Sequence, residues 1–202
     1  MKLTRNFYKK DSLSPAKDLL GKILVRKVGN KELRARIVET EAYPGEEDKA
    51  SHNYGGRITE RTKTLYMGGG HLYVYLIYGI YALLNIVAGD VNSGQGVLIR
   101  AVEPLDNIDD FAQNRFGKNY EDLSSYQRKN LSNGPGKLTK ALDISTKSKG
   151  LDLVGDIIYL EDDGYKDFTI VTKKRIGIDY AEEAKDFPYR FYIGESKYVS
   201  VR

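Results

Sequence analysis

The chain has 202 residues, 41% of them hydrophobic and 30% charged, which is enough apolar material for one sizeable core and points to a single domain over 1–202. Lys and Arg outnumber Asp and Glu by 32 to 28, a mildly basic balance that permits a phosphate-backbone partner without requiring one. Cysteine is absent, which excludes disulfides, thiolate nucleophiles and Cys-based zinc or iron–sulfur sites and fits a reducing compartment.

From Met1 to Lys22 charges interrupt every apolar stretch, so neither a signal peptide nor a membrane anchor is expected and the protein reads as soluble and cytoplasmic. Within that stretch SPAKDLL (14–20) reads as a short helix, with Ser followed by Pro at its start. KILVRKV follows as a strand. RARIVETEAY (34–43) alternates, which places Val38, Thr40 and Ala42 on one face and Ile37, Glu39, Glu41 and Tyr43 on the other. Residues 44–70 are polar and glycine-rich, a long loop with one helical turn at most, and loops of that length in compact domains are usually functional.

HLYVYLIYGIYALLNIVAGD then contains two runs rich in β-branched and aromatic residues around Tyr78-Gly79, a hairpin pattern with Tyr78 at the tip. GVLIRAVEPL (96–105) is a further strand, and a charge-decorated helical region follows to about Lys129. NGPGKLTKALDI reads as a loop opening a short helix, and DIIYLED and YRFYIG are strand-like. Strands and helices mix without a βαβ rhythm or a repeat. The expected fold is therefore α+β: one compact domain around a curved antiparallel β-sheet, with a protruding β-hairpin and surrounding short helices.

Several groups of residues bear on chemistry. Glu39 and Glu41, two apart on a strand beside Tyr43, are either the solvated face of an edge strand or the source of a general base that activates water. His52, one of two histidines, sits in the polar loop and is either inert or the planar, hydrogen-bonding wall of a base pocket; His71 reads as structural. Two histidines and no cysteine make a metal site hard to build, so metal-free chemistry and no cofactor are expected. Tyr73, Tyr75, Tyr78 and Tyr81 lie within nine residues. Tyr73 and Tyr81 suit an aromatic core face, whereas Tyr78 at a turn tip has little core to reach and suits a wedge between stacked bases. Asn85 inside ALLNIV needs partners if buried, and Arg100 at the end of GVLIR is either an ion-pair partner or an orienter of a carboxylate. Arg57, Arg61 and Lys63, with Lys137 and Lys140, sit in loops suited to phosphates, although each alone reads equally as a solvated charge.

Taken together and in order, VETEAYPGEEDKASHNYGGRITERT, LYVYLIYGIYALLNIV, GVLIRAVEPL, SNGPGKLTKAL and RIGIDYAEEAKDFPYRFYI resemble the alkyladenine (3-methyladenine) DNA glycosylase family from about Leu13 to the C-terminus. The resemblance implies that Glu41 is the general base and that Arg100 helps position it. It implies that Tyr43, His52 and Tyr75 wall a flipped base, that Tyr78 intercalates, and that Asn85 rejects the exocyclic amine of guanine. Ile176 would supply a backbone contact near the water. Of the basic loop residues, Arg57, Arg61 and Lys137 are the candidates for the DNA backbone. The implied substrate is double-stranded DNA containing damaged purines such as 3-methyladenine, 7-methylguanine, hypoxanthine or ethenoadenine. A monomer acting in the cytoplasm on nucleoid DNA, or in a nucleus, is expected, without membrane, metal or a partner-binding tail. No lysine is placed as an amine nucleophile, which favours simple hydrolysis over strand cleavage. The stretches around Tyr54 and from Asp179 to Asp186 follow no family pattern. Two other readings fit the residues: a non-catalytic nucleic-acid-binding module that stacks bases on the tyrosine hairpin, and a hydrolase of free nucleosides.

Overall fold

The computed structural model describes residues 1–202 and is organised by its longest strand, β2 (Lys31–Tyr43), which takes three partners. Along one edge it pairs with β5 (Gln95–Pro104). Along the other it pairs first with β1 (Ile23–Val28) over residues 31–36 and then with β8 (Arg190–Ile193) over Glu39–Glu41. The remaining strands are β3 (Leu72–Ile77), β4 (Tyr81–Ala88), β6 (Ile158–Glu161) and β7 (Ile170–Lys173), and all eight form one antiparallel sheet ordered β3-β4-β5-β2-β1-β6, with β8 on β2 and β7 on β8. Five short helices accompany it: α1 (Arg5–Tyr8), α2 (Leu13–Asp18), α3 (Ile108–Phe116), α4 (Ser125–Lys129) and α5 (Pro135–Ala141).

Strand alternation divides the sheet into two faces with different jobs. One face carries Leu72, Val74, Leu84, Ile86, Val97 and Ile99 into the main core, where α5 packs on β4 and β5, α3 packs on α5, and α2 packs on β2. The other face carries Tyr73, Tyr75, Leu83, Asn85, Leu98 and Arg100, and it lines a cavity. Thr40 Oγ ties α2 to β2 by donating to the Ala16 carbonyl at 2.6 Å, and Thr139 Oγ ties α5 to β4 by donating to the Ala82 carbonyl at 2.7 Å.

On β2 the strict alternation expected from the sequence fails. Leu33, Ala35 and Ile37 all enter the core, and so do Val38 and Ala42. Pairing passes from Ile37 with Val102 to Glu39 with Ala101, leaving Val38 extra, and then to Thr40 with Ile99, leaving Arg100 extra on β5. Two successive bulges thus reverse the phase of both strands, and bulges re-aim side chains in this way. Ile37 belongs to the core face, not to the face of Glu39, Glu41 and Tyr43. The edge-strand alternative also falls, because β2 is central and both glutamates are 0% exposed.

Smaller corrections concern ends and turns. The first helix-like segment spans Leu13–Asp18 with Ser12, not Ser14, at its N-cap, and Pro15 sits in the first turn, where its missing N–H removes no helical bond. The long loop has two short 3₁₀ turns, Tyr54–Gly56 and Lys63–Tyr66, instead of one. The β3–β4 hairpin turns through Tyr78 and Gly79 with φ of 53° and 68°, the left-handed pair that matches the twist of two strands. No helix is long and apolar enough to cross a membrane.

Candidate active site

Glu39 and Glu41 share a face, burial and the nearby Arg100, but no hydrogen-bond donor. Glu39 accepts from Arg190 Nη1 at 2.8 Å, from the Ser200 backbone N–H at 2.7 Å and from Ser200 Oγ at 3.0 Å, which ties the C-terminal segment to the sheet. Glu41 accepts from the Ile176 backbone N–H at 2.8 Å on Oε1 and from the Tyr43 hydroxyl at 2.9 Å on Oε2. Arg100 lies between them, 3.4 Å from Glu39 and 3.3 Å from Glu41, and its Nε is buried without a hydrogen-bond partner.

Burial pushes the Glu41 carboxyl above the ordinary carboxylate value, against the opposing pull of Arg100, the Ile176 N–H and the Tyr43 hydroxyl. Burial and the Glu41 charge push the Tyr43 phenol well up, so it remains a donor. The arrangement is a carboxylate with fixed donors and a raised proton affinity, the character a base needs.

Above this group opens a cavity of about 1200 Å³. Its lining includes Tyr43, Arg100 and Ile176, whereas Glu41 is one layer behind them. His52 and Tyr75 form an edge-to-face pair with ring centroids 4.4 Å apart, and Tyr73 joins them at 5.3 Å from Tyr75. Arg61 places a guanidinium N–H 3.3 Å from His52 Nε2 and its Cζ 5.0 Å from the Tyr75 ring. Because arginine only donates, His52 Nε2 accepts, and the neutral ring donates from Nδ1 to the Tyr73 hydroxyl at 2.8 Å. Burial and then Arg61 push His52 down to about 4, so the imidazole is uncharged at neutral pH.

Asn85 also lines the cavity, with its amide donating to the Tyr73 carbonyl at 3.2 Å. At the mouth the hairpin tip projects, with Tyr78 83% exposed and Ile80 and Tyr81 exposed beside it. Tyr81 is thus a cavity-lining surface residue, not the core residue the alternation pattern favoured; α5 packs beneath it, and a Cβ on Gly136 would lie 3.0 Å from its Cβ. Tyr73 is buried as expected, and His71 bonds the Gly68 carbonyl at 2.9 Å in a structural setting.

The basic residues divide. Lys137 lines the α5 end of the cavity, with its ammonium donating to Asn130 at 2.6 Å and Asn133 at 3.0 Å; desolvation, then Arg115, lowers its proton affinity. Lys140 lines the same end, Arg61 turns inward onto Tyr75, and Arg57 is exposed away from the cavity lining. Four neighbours escaped the sequence reading. Arg115 and Tyr180 line the cavity, and Arg175 forms a buried two-pronged ion pair with Asp48. The Arg175–Asp48 pair joins segments 127 residues apart, a separation no local pattern marks.

Comparison with known proteins places this geometry in a family. The model of the methylpurine-DNA glycosylase family matches residues 6–197. A protein of Clostridium novyi (strain NT) named as a 3-methyladenine DNA glycosylase is 56% identical over 199 residues, covering 98% of each chain. Relatives bearing the same name are 53% identical in Clostridium perfringens (strain SM101), covering 99% of each chain, and 49% identical in Desulfitobacterium hafniense (strain Y51), covering 100% of this chain and 99% of the relative. The chain belongs to the methylpurine-DNA glycosylase family. It is accordingly a DNA-repair enzyme that hydrolyses N-glycosyl bonds.

Proposed function

We propose that the chain takes damaged purines, 3-methyladenine and 7-methylguanine first among them, out of duplex DNA into the aromatic cavity and hydrolyses the bond to deoxyribose. The observation that carries this reading is Glu41, fully buried and held by the Ile176 N–H and the Tyr43 hydroxyl behind the cavity lining. In the reaction a water oxygen bonds to C1′ of the sugar while its proton passes to the Glu41 carboxylate. The C1′–N9 bond breaks and its electron pair leaves with the purine. A cationic methylated base departs neutral; neutral hypoxanthine or ethenoadenine must in addition gain a proton, so a general acid is required for them. The product is an abasic site. No strand cleavage follows in this reading, because neither cavity-wall lysine is placed as an amine nucleophile: the Lys137 ammonium is bound by two asparagines, and Lys140 lies at the same α5 end, away from Glu41 and Tyr43.

In this reading Arg100 steadies the carboxylate and its water. Tyr43, His52 and Tyr75 stack on the flipped base, and their electron-rich faces favour a cationic one. Neutral His52 adds a hydrogen-bonding edge. Asn85 excludes the exocyclic amine of normal guanine. Tyr78, projecting from the hairpin, occupies the gap in the duplex, while Arg57, Arg61 and Lys137 meet phosphates. The enzyme acts as a monomer, without metal, on DNA in the cytoplasm.

The test is release of free base from methylated duplex DNA, and from duplexes with a single hypoxanthine or ethenoadenine, by wild type and Glu41→Gln without added metal. Release that collapses in the variant while duplex binding persists is the expected result. Binding without release from any substrate would leave only the stacking-module reading, and release from free nucleosides at equal efficiency would remove the role of Tyr78.

A further inference from the structure

We propose that Arg175 and Asp48 are positioning residues for Glu41, a buried pair that fixes both the amide and the phenol donating to its carboxylate. The proposal rests on Glu41 acting as the base.

Arg175 has a side chain 0% exposed and Asp48 one 3% exposed. One guanidinium joins the three segments that enclose the carboxylate. Nη1 donates to the Ala42 carbonyl at 3.0 Å, on the strand between Glu41 and Tyr43. Nη2 donates to the Ala184 carbonyl at 3.1 Å, which closes the loop carrying Ile176 and Tyr180. Both nitrogens bond Asp48, which itself accepts from the Ala50 N–H at 3.1 Å and Ser51 Oγ at 3.0 Å and so shapes the turn leading into His52.

The two donors to Glu41 follow from this arrangement. Ile176 is the next residue after Arg175, so the path that seats the guanidinium aims the 176 N–H at Glu41 Oε1. The Tyr43 ring rests against the guanidinium, 4.7 Å from its Cζ, with its hydroxyl on Oε2; Tyr189 lies at 5.3 Å on the same cation. Stability alone does not account for such a pair. Apolar residues of similar volume usually replace a buried ion pair without loss, whereas a planar bidentate fork sets direction as well as contact. Arg175 Nε has no partner, so the fork is spent on the two carbonyls and Asp48.

The experiment compares wild type, Arg175→Met/Asp48→Leu, Arg175→Lys and Glu41→Gln. Thermal unfolding, duplex affinity, single-turnover release of 7-methylguanine against pH, and ¹³C NMR titration of the Glu41 carboxyl, assigned by its loss in Glu41→Gln, are measured on each. The double variant is expected to lose some Tm, because the Ala42 and Ala184 carbonyls lose their donor, to keep its duplex affinity, to release base about tenfold or more slowly per folded molecule, as small misplacements of a reacting group do, and to titrate Glu41 at higher pH because the anion has lost aimed donors. The acid limb of the rate moves up with it. Arg175→Lys keeps the charge without the fork and falls between. A double variant with normal Tm, wild-type rate and unmoved Glu41 titration overturns the proposal; so does a rate that falls only with the folded fraction. If the double variant fails to fold, an unmoved rate and titration in Arg175→Lys overturn it equally. No base release by wild type would refute the glycosylase reading, while the Glu41 titration would still decide whether Arg175 positions the carboxylate.

Discussion

Glu39 and Glu41 are the same residue type, two positions apart on one strand face, and both are fully buried, yet their surroundings differ. Glu39 meets a close guanidinium from Arg190 and two donors from Ser200, and the C-terminal segment seals it. Glu41 meets one amide and one phenol, with Arg100 at the longer distance of 3.3 Å, and the residues around it line a cavity. Burial alone therefore does not separate a candidate base from a structural carboxylate. What distinguishes the two is whether the donors tie it to a sealing segment or belong to residues that themselves line a cavity.

The strongest way to break this contrast is to neutralise each carboxylate in turn. Glu41→Gln should lower base release about 100-fold or more, the usual contribution of a general base, with Tm nearly unchanged. Glu39→Gln should do the reverse. Leaving Arg190 and Arg100 without that charge should destabilise the fold by about 3–5 kcal/mol, read by denaturant unfolding, while molecules that remain folded stay within about tenfold of the wild-type rate. Equal losses of turnover per folded molecule would abolish the distinction.

Tyr78→Ala tests the open side. It removes an exposed side chain, so stability should hold, but release from duplex DNA should fall about tenfold, in line with the stacking worth of one aromatic, while release from single-stranded DNA changes little. An equal loss on both substrates would remove the wedge role.

His52 sharpens the contrast through pH. Its folded proton affinity is lowered to about 4 against about 6.5 in an unfolded chain, so the unfolded state binds more protons between those values. Stability should fall as pH drops from 6.5 towards 4 and stay level above 6.5. His52→Asn should flatten that slope in Tm against pH, and Arg61→Gln should narrow it by removing the charge that helps keep the ring neutral. His52 should contribute no limb to the rate near 6.5, and the acid limb should follow Glu41, which burial raises above the ordinary carboxylate range.

The smallest expected effect is at the α5 end. Lys137→Ala should weaken duplex binding alike for damaged and undamaged DNA and reduce the slope of log affinity against log salt by about one. A loss confined to damaged DNA would place Lys137 with the base pocket instead.

The hairpin was legible because its evidence is local. Alternation from Leu72 to Ile77 and from Tyr81 to Ala88 brackets the three residues Tyr78-Gly79-Ile80, and a tight turn answers to no distant partner. Tyr81 was misread for a related reason: alternation says which residues share a face but not whether that face is covered. The bulges at Val38 and Arg100 left no mark either, since a one-residue slip arises from pairing between strands and not from the composition of either. Glu41 could be chosen over Glu39 only through family resemblance, because the residues that separate them, Ile176 on one side and Arg190 with Ser200 on the other, lie 135 or more positions away.

The chain by itself determined a cysteine-free α+β domain, the hairpin with its exposed tyrosine, and the residue types a base-excising site needs, because periodicity and turn chemistry are short-range properties. The tertiary structure decided which carboxylate is sealed by the C-terminal segment and which lies directly behind the cavity lining, that burial and Arg61 lower the proton affinity of His52, and that Arg175 and Asp48 stand behind the site. Those outcomes depend on burial and on hydrogen bonds between segments that only folding brings together.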